Sequence, residues 1–192
     1  MVAKPALLIV DVQNDFCLGG ALPVPEGDAV VPVLNRAIAH AQRAGWPIIA
    51  SRDWHLERTS HFKRYGGRWP VHCIQGTPGA AFHPQLNLPK DAIIISKGVR
   101  PNEDSYSAFD GSDAAGVSLL DRLRVLHVGA LRIGGLATDY CVKCTALDAL
   151  QHGFRVQLMA DAIRGVDARP GDSQRALDEV QAQGAAIVPW AG

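Results

Sequence analysis

Short apolar runs recur along the chain, and nearly every one is followed by a polar or glycine-rich break and then by a stretch with helical spacing. The pattern predicts strands at 6–10, 47–51, 92–96, 130–134, 154–159 and 185–188, most of them apolar on both faces. Strands covered by helices on each side of a parallel sheet read this way. Helices are predicted at 28–44, 114–126, 139–152 and 173–183. In the first, Val31, Leu34 and Ile38 fall on one face, and Gly45 follows as a helix stop. The alternation implies an α/β fold, a doubly wound and mostly parallel six-stranded sheet with helices on both faces.

One segment breaks the rhythm. Residues 53–88 are too many for a simple βα connection and are rich in His, Trp, Pro and Gly. Long irregular insertions in compact domains are usually functional. The whole chain, 192 residues, is otherwise read as one domain carrying this insertion.

Charge and composition narrow the function classes. Nineteen basic residues balance nineteen acidic ones for a formal net charge of +0, so no global polyanion-binding face is expected and nucleic acid is excluded as a partner. The apolar runs fall short of the roughly 20 residues that span a bilayer, so no membrane association is expected. The start, Met1-Val2-Ala3-Lys4-Pro5, lacks the pattern of a signal peptide, which predicts a cytoplasmic protein. In that compartment the four cysteines are expected as thiols rather than as two disulfides.

Ligands of open parallel sheets bind outside the carboxyl ends of the strands. At or just past those ends lie Asp11, Asp53, Lys97 and a glycine-rich turn, 134–138, that enters the helix carrying Cys141. Thr138 reads as the cap of that helix. This places Cys141 in its first turn, where free N–H groups would stabilise a reactive thiolate. Asp11 could accept the thiol proton, and Lys97 could stabilise negative charge shared with the thiolate. Cys144 completes a Cys-x-x-Cys but reads as core. Cys17 and Cys73 are expected to line the site as bystanders.

The insertion holds the candidate metal ligands. Asp53-x-His55 puts a carboxylate and an imidazole on one face of an extended segment, and His61 and His72 follow. Such N/O donors suit one divalent transition metal, zinc, iron(II) or manganese, with a coordination position left open. His83 reads as a structural loop residue. Arg58, Lys63, Arg64 and Arg68 form a small basic run, expected to be solvated, that could attract a negatively charged tail.

Taken together, Asp11-Val-Gln-Asn-Asp-Phe16, Asp53-Trp-His55, Trp69-Pro-Val-His72-Cys, Lys97-Gly, Tyr106-Ser-Ala-Phe and Gly135-Leu-Ala-Thr-Asp-Tyr-Cys141-Val resemble the nicotinamidases (pyrazinamidases) of the isochorismatase-like cysteine hydrolase superfamily. The resemblance implies a triad of Asp11, Lys97 and Cys141 and a metal site of Asp53, His55 and His72, with His61 at the position of a fourth ligand used in some members. It implies a cis peptide at Leu136-Ala137 and an oxyanion hole from the N–H groups of Ala137 and Cys141. Phe16, Trp69 and Tyr106 match positions that enclose the substrate ring, and Tyr140 occupies a variable position beside the nucleophile. The implied activity is hydrolysis of the small, uncharged nicotinamide through a thioester on Cys141, within NAD salvage. The alternatives are another amidase of the superfamily, acting on N-carbamoyl or ureido compounds, and a silent metal- or pyridine-binding relative. The oligomeric state stays open, a homo-oligomer included.

Overall fold

The computed structural model describes residues 4–190. Its six strands are β1 (Lys4–Val10), β2 (Ile48–Asp53), β3 (Ile93–Lys97), β4 (Val128–Leu136), β5 (Arg155–Arg164) and β6 (Ala186–Val188). They form one sheet in the order β3-β2-β1-β4-β5-β6, and every ladder is parallel. The strands are those expected from the apolar runs, with β4 and β5 extending further toward the site.

Four helices cover the sheet: α1 (Val30–Ala44), α2 (Leu119–Val125), α3 (Lys143–Gln151) and α4 (Asp172–Ala182). The pleat of β1 explains why both faces must be covered. Leu7 and Ile9 bury against Leu34 and Ile38 of α1, whereas Ala6, Leu8 and Val10 join Leu123 of α2 and Ala146 of α3 on the other side. Gly45 closes α1 in the left-handed region (φ 67°), its N–H reaching back to the Ala41 carbonyl. Gly135 has a different task. At φ 131° it lets β4 pass so close to β1 that a Cβ there would lie 2.0 Å from the Val10 carbonyl oxygen.

Two helix expectations need correction. The stretch 114–126 is helical only from Leu119, because Asp113 Oδ1 takes the N–H groups of Ala115 and Val117 into a turn and Ser118 then caps α2 through the N–H of Asp121. The stretch 139–152 opens with a π turn, Thr138–Val142, and becomes α-helical only at Lys143.

The strand order reverses beside β1, between β2 and β4, which is where a doubly wound sheet opens a crevice. The ends of β1, β2, β3 and β4 all meet there. Over this crevice lies the insertion, which contains only two short 3₁₀ turns, Lys63–Tyr65 and Pro78–Ala80. Buried Gln13 ties it down: its Nε2 donates to the carbonyls of Asp53 (2.8 Å) and Ala80 (2.9 Å), and its Oε1 accepts the Asp53 N–H. No described helix is long and apolar enough to cross a membrane.

Candidate active site

Lys97, the last residue of β3, is the hub. Its side chain is fully buried, and Nζ lies 2.9 Å from Asp11 Oδ2, in direct contact with Asp53 Oδ1, 3.0 Å from the Ser105 carbonyl and 3.5 Å from Cys141 Sγ. Asp11 leaves β1 with φ 50°, in the left-handed region, and its Oδ1 accepts from Ser51 Oγ at 2.7 Å. Beyond the ion pair, Asp11 Oδ2 has no hydrogen-bond partner. Asp11, Asp53 and Cys141 present ligand atoms all within 4.8 Å of one another.

These charges set one another's protonation. Burial pushes the Lys97 ammonium toward losing its proton, but Asp11 and Asp53 outweigh that and hold it well above the ordinary lysine value. Burial likewise raises Asp53, yet Lys97, then His55 and His72, bring it well below the carboxylate range. For Asp11 burial wins over Lys97, and the Asp53 charge adds to it, so its carboxyl is raised. Burial first, then the two carboxylates, also raise the Cys141 thiol well above its usual value despite Lys97.

The backbone corrects the expected capped helix start. Thr138 is not the cap: Ala137 occupies that place, no side chain caps the turn, and Cys141 sits inside a π turn with almost no solvent. The Ala137 carbonyl takes the N–H groups of Tyr140 and Val142, passing over that of Cys141 between them. The peptide Leu136-Ala137 is cis. The thiol and the neighbouring Asp11 carboxyl are thus both shifted toward holding a proton.

Next to this group lie three imidazoles, His55, His61 and His72, whose ligand atoms come within 4.8 Å of one another. Each ring is held from behind through Nδ1: His55 by the Gly98 carbonyl (3.1 Å), His72 by the Pro70 carbonyl (2.8 Å) and His61 by the Asp104 carboxylate. A carbonyl can only accept, so Nδ1 carries the proton in His55 and His72, and the Nε2 lone pairs face inward. Asp53 Oδ2 completes the set at 3.6 Å from His55 Nε2 and 3.7 Å from His72 Nε2. His55 Nε2 is buried without a partner.

A pocket with about 430 Å³ of atom-free space opens onto both groups. Phe16, Trp69, Tyr106, Ala137 and Tyr140 line it, together with Cys141 and with Asp53, His61 and His72; Asp11, Lys97 and His55 lie behind this lining. Trp69 Nε1 donates to Tyr106 Oη at 2.9 Å, and Trp69 meets Tyr140 edge to face at 4.9 Å between ring centres. The expected triad, metal-ligand and ring-enclosing residues are thus brought to one crevice. Ser51, Gln13, Asp104 and the Gly98 and Ser105 carbonyls were missed; a serine or a main-chain oxygen carries no signal of its own in a sequence.

The remaining candidates lie elsewhere. Cys17 and Cys73 are buried but are not among the residues that line the pocket; the Cys17 thiol lies with Asp28 and His83, their ligand atoms within 4.8 Å of one another. His83 pairs with Asp28 at 3.2 Å, outside the imidazole cluster. Cys144 is half-buried, and all four cysteines are free.

Comparison with known proteins agrees with this geometry. The chain is 46% identical to the nicotinamidase of Escherichia coli over 95% of this chain and 93% of that one. It superposes on pyrazinamidase of Pyrococcus horikoshii in complex with zinc with a TM-score of 0.90 at 47% identity, covering 97% and 99% of the two chains. The structure of PnC1 from L. infantum in complex with nicotinate gives a TM-score of 0.85 at 32% identity over 97% and 93%. Residues 5–192 match the isochorismatase domain, and with the fold and the crevice in place the chain belongs to the isochorismatase family.

Proposed function

We propose that this protein is a nicotinamidase, a hydrolase that converts nicotinamide and water into nicotinate and ammonia. The observation that carries the reading is the meeting of a cysteine–lysine–aspartate group with an imidazole–carboxylate cluster at the floor of one small aromatic pocket. The likeness to nicotinamidases and to a nicotinate-bound structure supports the same substrate.

Asp11 takes the proton of Cys141 Sγ, and the sulfur attacks the carboxamide carbon. The C=O electron pair moves to oxygen, where the N–H groups of Ala137 and Cys141 hold it. Asp11 passes the proton to the amide nitrogen, the C–N bond breaks, and ammonia leaves a thioester on Cys141. Water, losing a proton to Asp11, attacks the thioester carbon, and the C–S bond breaks to give the acid while Asp11 returns the proton to Sγ. Lys97 keeps its charge throughout and compensates the negative charge that passes between sulfur and carboxylate. Phe16, Trp69 and Tyr106 hold the ring flat against the thiol, with Tyr140 at the rim.

The donor set fits a divalent metal held by Asp53, His55, His72 and His61. An unpartnered buried His55 Nε2 and three rings fixed from behind at Nδ1 are what such a site needs. When bound, the ion supplies a Lewis-acid contact for the pyridine nitrogen; three imidazoles and one carboxylate suit zinc. Free thiols throughout fit a cytoplasmic enzyme, and we place its reaction in NAD salvage. The test is ammonia release from nicotinamide. Wild type should release it and Cys141→Ala, folded by circular dichroism, should not; turnover undiminished in the variant would defeat the reading.

A further inference from the structure

Arg68 belongs to the basic run, yet no carboxylate pairs with it among the described residues. Its Nη2 instead donates to Tyr140 Oη at 2.7 Å, and the guanidinium lies 5.1 Å from the Trp69 ring centre and 5.3 Å from that of Tyr140. Both rings line the pocket and touch each other edge to face. Trp69 comes from the insertion, and Tyr140 from the π turn beside the nucleophile.

The backbone does not hold these sides together. The N–H of Trp69 bonds to His61, and its carbonyl accepts from Lys63, so both bonds stay within the insertion. Among the described residues no backbone hydrogen bond joins 61–69 to 137–142. What spans the mouth is side chains: the Trp69–Tyr140 edge contact and the Arg68–Tyr140 hydrogen bond. Tyr140 is the fixed post, because the neighbouring Asp139 carboxylate takes the N–H groups of Val166 and Asp167 and pins the turn. Trp69 is held on the insertion side, its indole N–H donating to Tyr106 Oη at 2.9 Å.

We propose that Arg68 is a specificity-determining positioning residue: by latching Tyr140 against Trp69 it sets the width of the mouth, admitting a flat unsubstituted ring and excluding bulkier carboxamides. Its guanidinium is suited to this because it can donate to the phenol while stacking on both rings, which a lysine ammonium cannot do. The substrate half of the proposal rests on the nicotinamidase reading; the width of the mouth does not.

The experiment therefore reads the opening directly. Cys141 is alkylated in the purified protein with small iodoacetamide and with a bulky aryl maleimide, and peptide mass spectrometry gives the two rates, with the half-buried Cys144 as reference. Arg68→Met and Tyr140→Phe should each raise the bulky-to-small ratio at Cys141 about tenfold, the scale of one charge-assisted hydrogen bond discounted for its exposed place. The double variant should gain no more than either single one, and Arg68→Lys should fall between. In parallel, Arg68→Met should raise kcat/KM for a ring-substituted nicotinamide relative to nicotinamide, through KM rather than kcat. An unchanged ratio in the single variants, or full additivity in the double, would overturn the latch. Absence of ammonia release by the wild type would instead overturn the nicotinamidase reading, and the alkylation ratios would still decide the latch.

Discussion

Lys97 Nζ lies 2.9 Å from Asp11 Oδ2 while the same ammonium also touches Asp53, so one buried cation from β3 neutralises carboxylates at the ends of β1 and β2. None of the three is measurably exposed beyond 4%. The group is therefore an electrostatic joint of the sheet as well as a reacting centre.

Lys97→Met should show both roles. Removing the partner in contact with both acids leaves two carboxylates buried against each other, at a cost of about 3–5 kcal/mol. In a chain of this size that corresponds to a fall in Tm of roughly 6–20 °C at pH 7. The fall should shrink in acid, because carboxylates without the lysine can bury as neutral acids. A variant as stable as wild type at pH 7, read by urea unfolding, would show that the joint is not stabilising.

The thiols offer a sharper test of the electrostatics. Cys141 is held protonated by burial and then by Asp11 and Asp53, and Cys17 is pushed up to about 12 by burial and then by Asp28. Without substrate, alkylation of Cys141 at pH 7 should be slower than that of a free cysteine and should climb with pH beyond 9; Cys17 should stay inert until the medium approaches its own value. Labelling of Cys141 at pH 6 at the rate of a thiolate would restore the expectation of a helix-stabilised anion.

That expectation shows where the sequence stops being legible. The strand ends could be read because each apolar run must terminate where the crevice begins, so Asp11, Asp53, Lys97 and the Cys141 turn follow from periodicity alone. His55 and His72 were visible as residue types whose spacing suits coordination. The π turn was not visible, because Thr138 followed by helix-forming residues is also an ordinary capped start. Nor could the sequence reveal what orients each imidazole, since Gly98, Pro70 and Asp104 act through oxygens brought in by tertiary folding.

Those oxygens carry a prediction about metal. Asp104 fixes His61 from a loop beyond β3, and its own side chain is largely exposed. Asp104→Ala should leave the fold intact and weaken metal retention about 10–100-fold, the usual effect of losing a ligand's outer partner. Gly98→Ala should be harsher. Gly98 sits at φ 66°, and a Cβ there would lie 2.4 Å from His55 Cε1, displacing a fully buried ring. Elemental analysis after dialysis against a chelator should find about one divalent ion per wild-type chain and little in Gly98→Ala. Equal retention in all three proteins would remove His55 and His61 from the ligand set.

The last prediction concerns the pocket lining, where Phe16 and Val24 belong to a loop fastened by Asp28. Its Oδ2 accepts the Leu18 N–H at 2.8 Å, and its Oδ1 meets His83 Nε2. The Leu18 N–H, outweighing a small burial penalty, together with His83 lowers the Asp28 carboxyl below its usual 3.8. A carboxylate whose value is lower in the folded than in the unfolded chain stabilises the fold above the unfolded value, and that contribution disappears as the pH falls through the folded one. Asp28→Asn should therefore lower Tm at pH 7. The gap to wild type should stay constant down to about pH 5 and close progressively below 3.8 as the wild-type carboxyl protonates. His83→Gln serves as the control: a gap that vanishes in the His83→Gln background would assign the stabilisation to the His83 contact rather than to the loop's N–H bond.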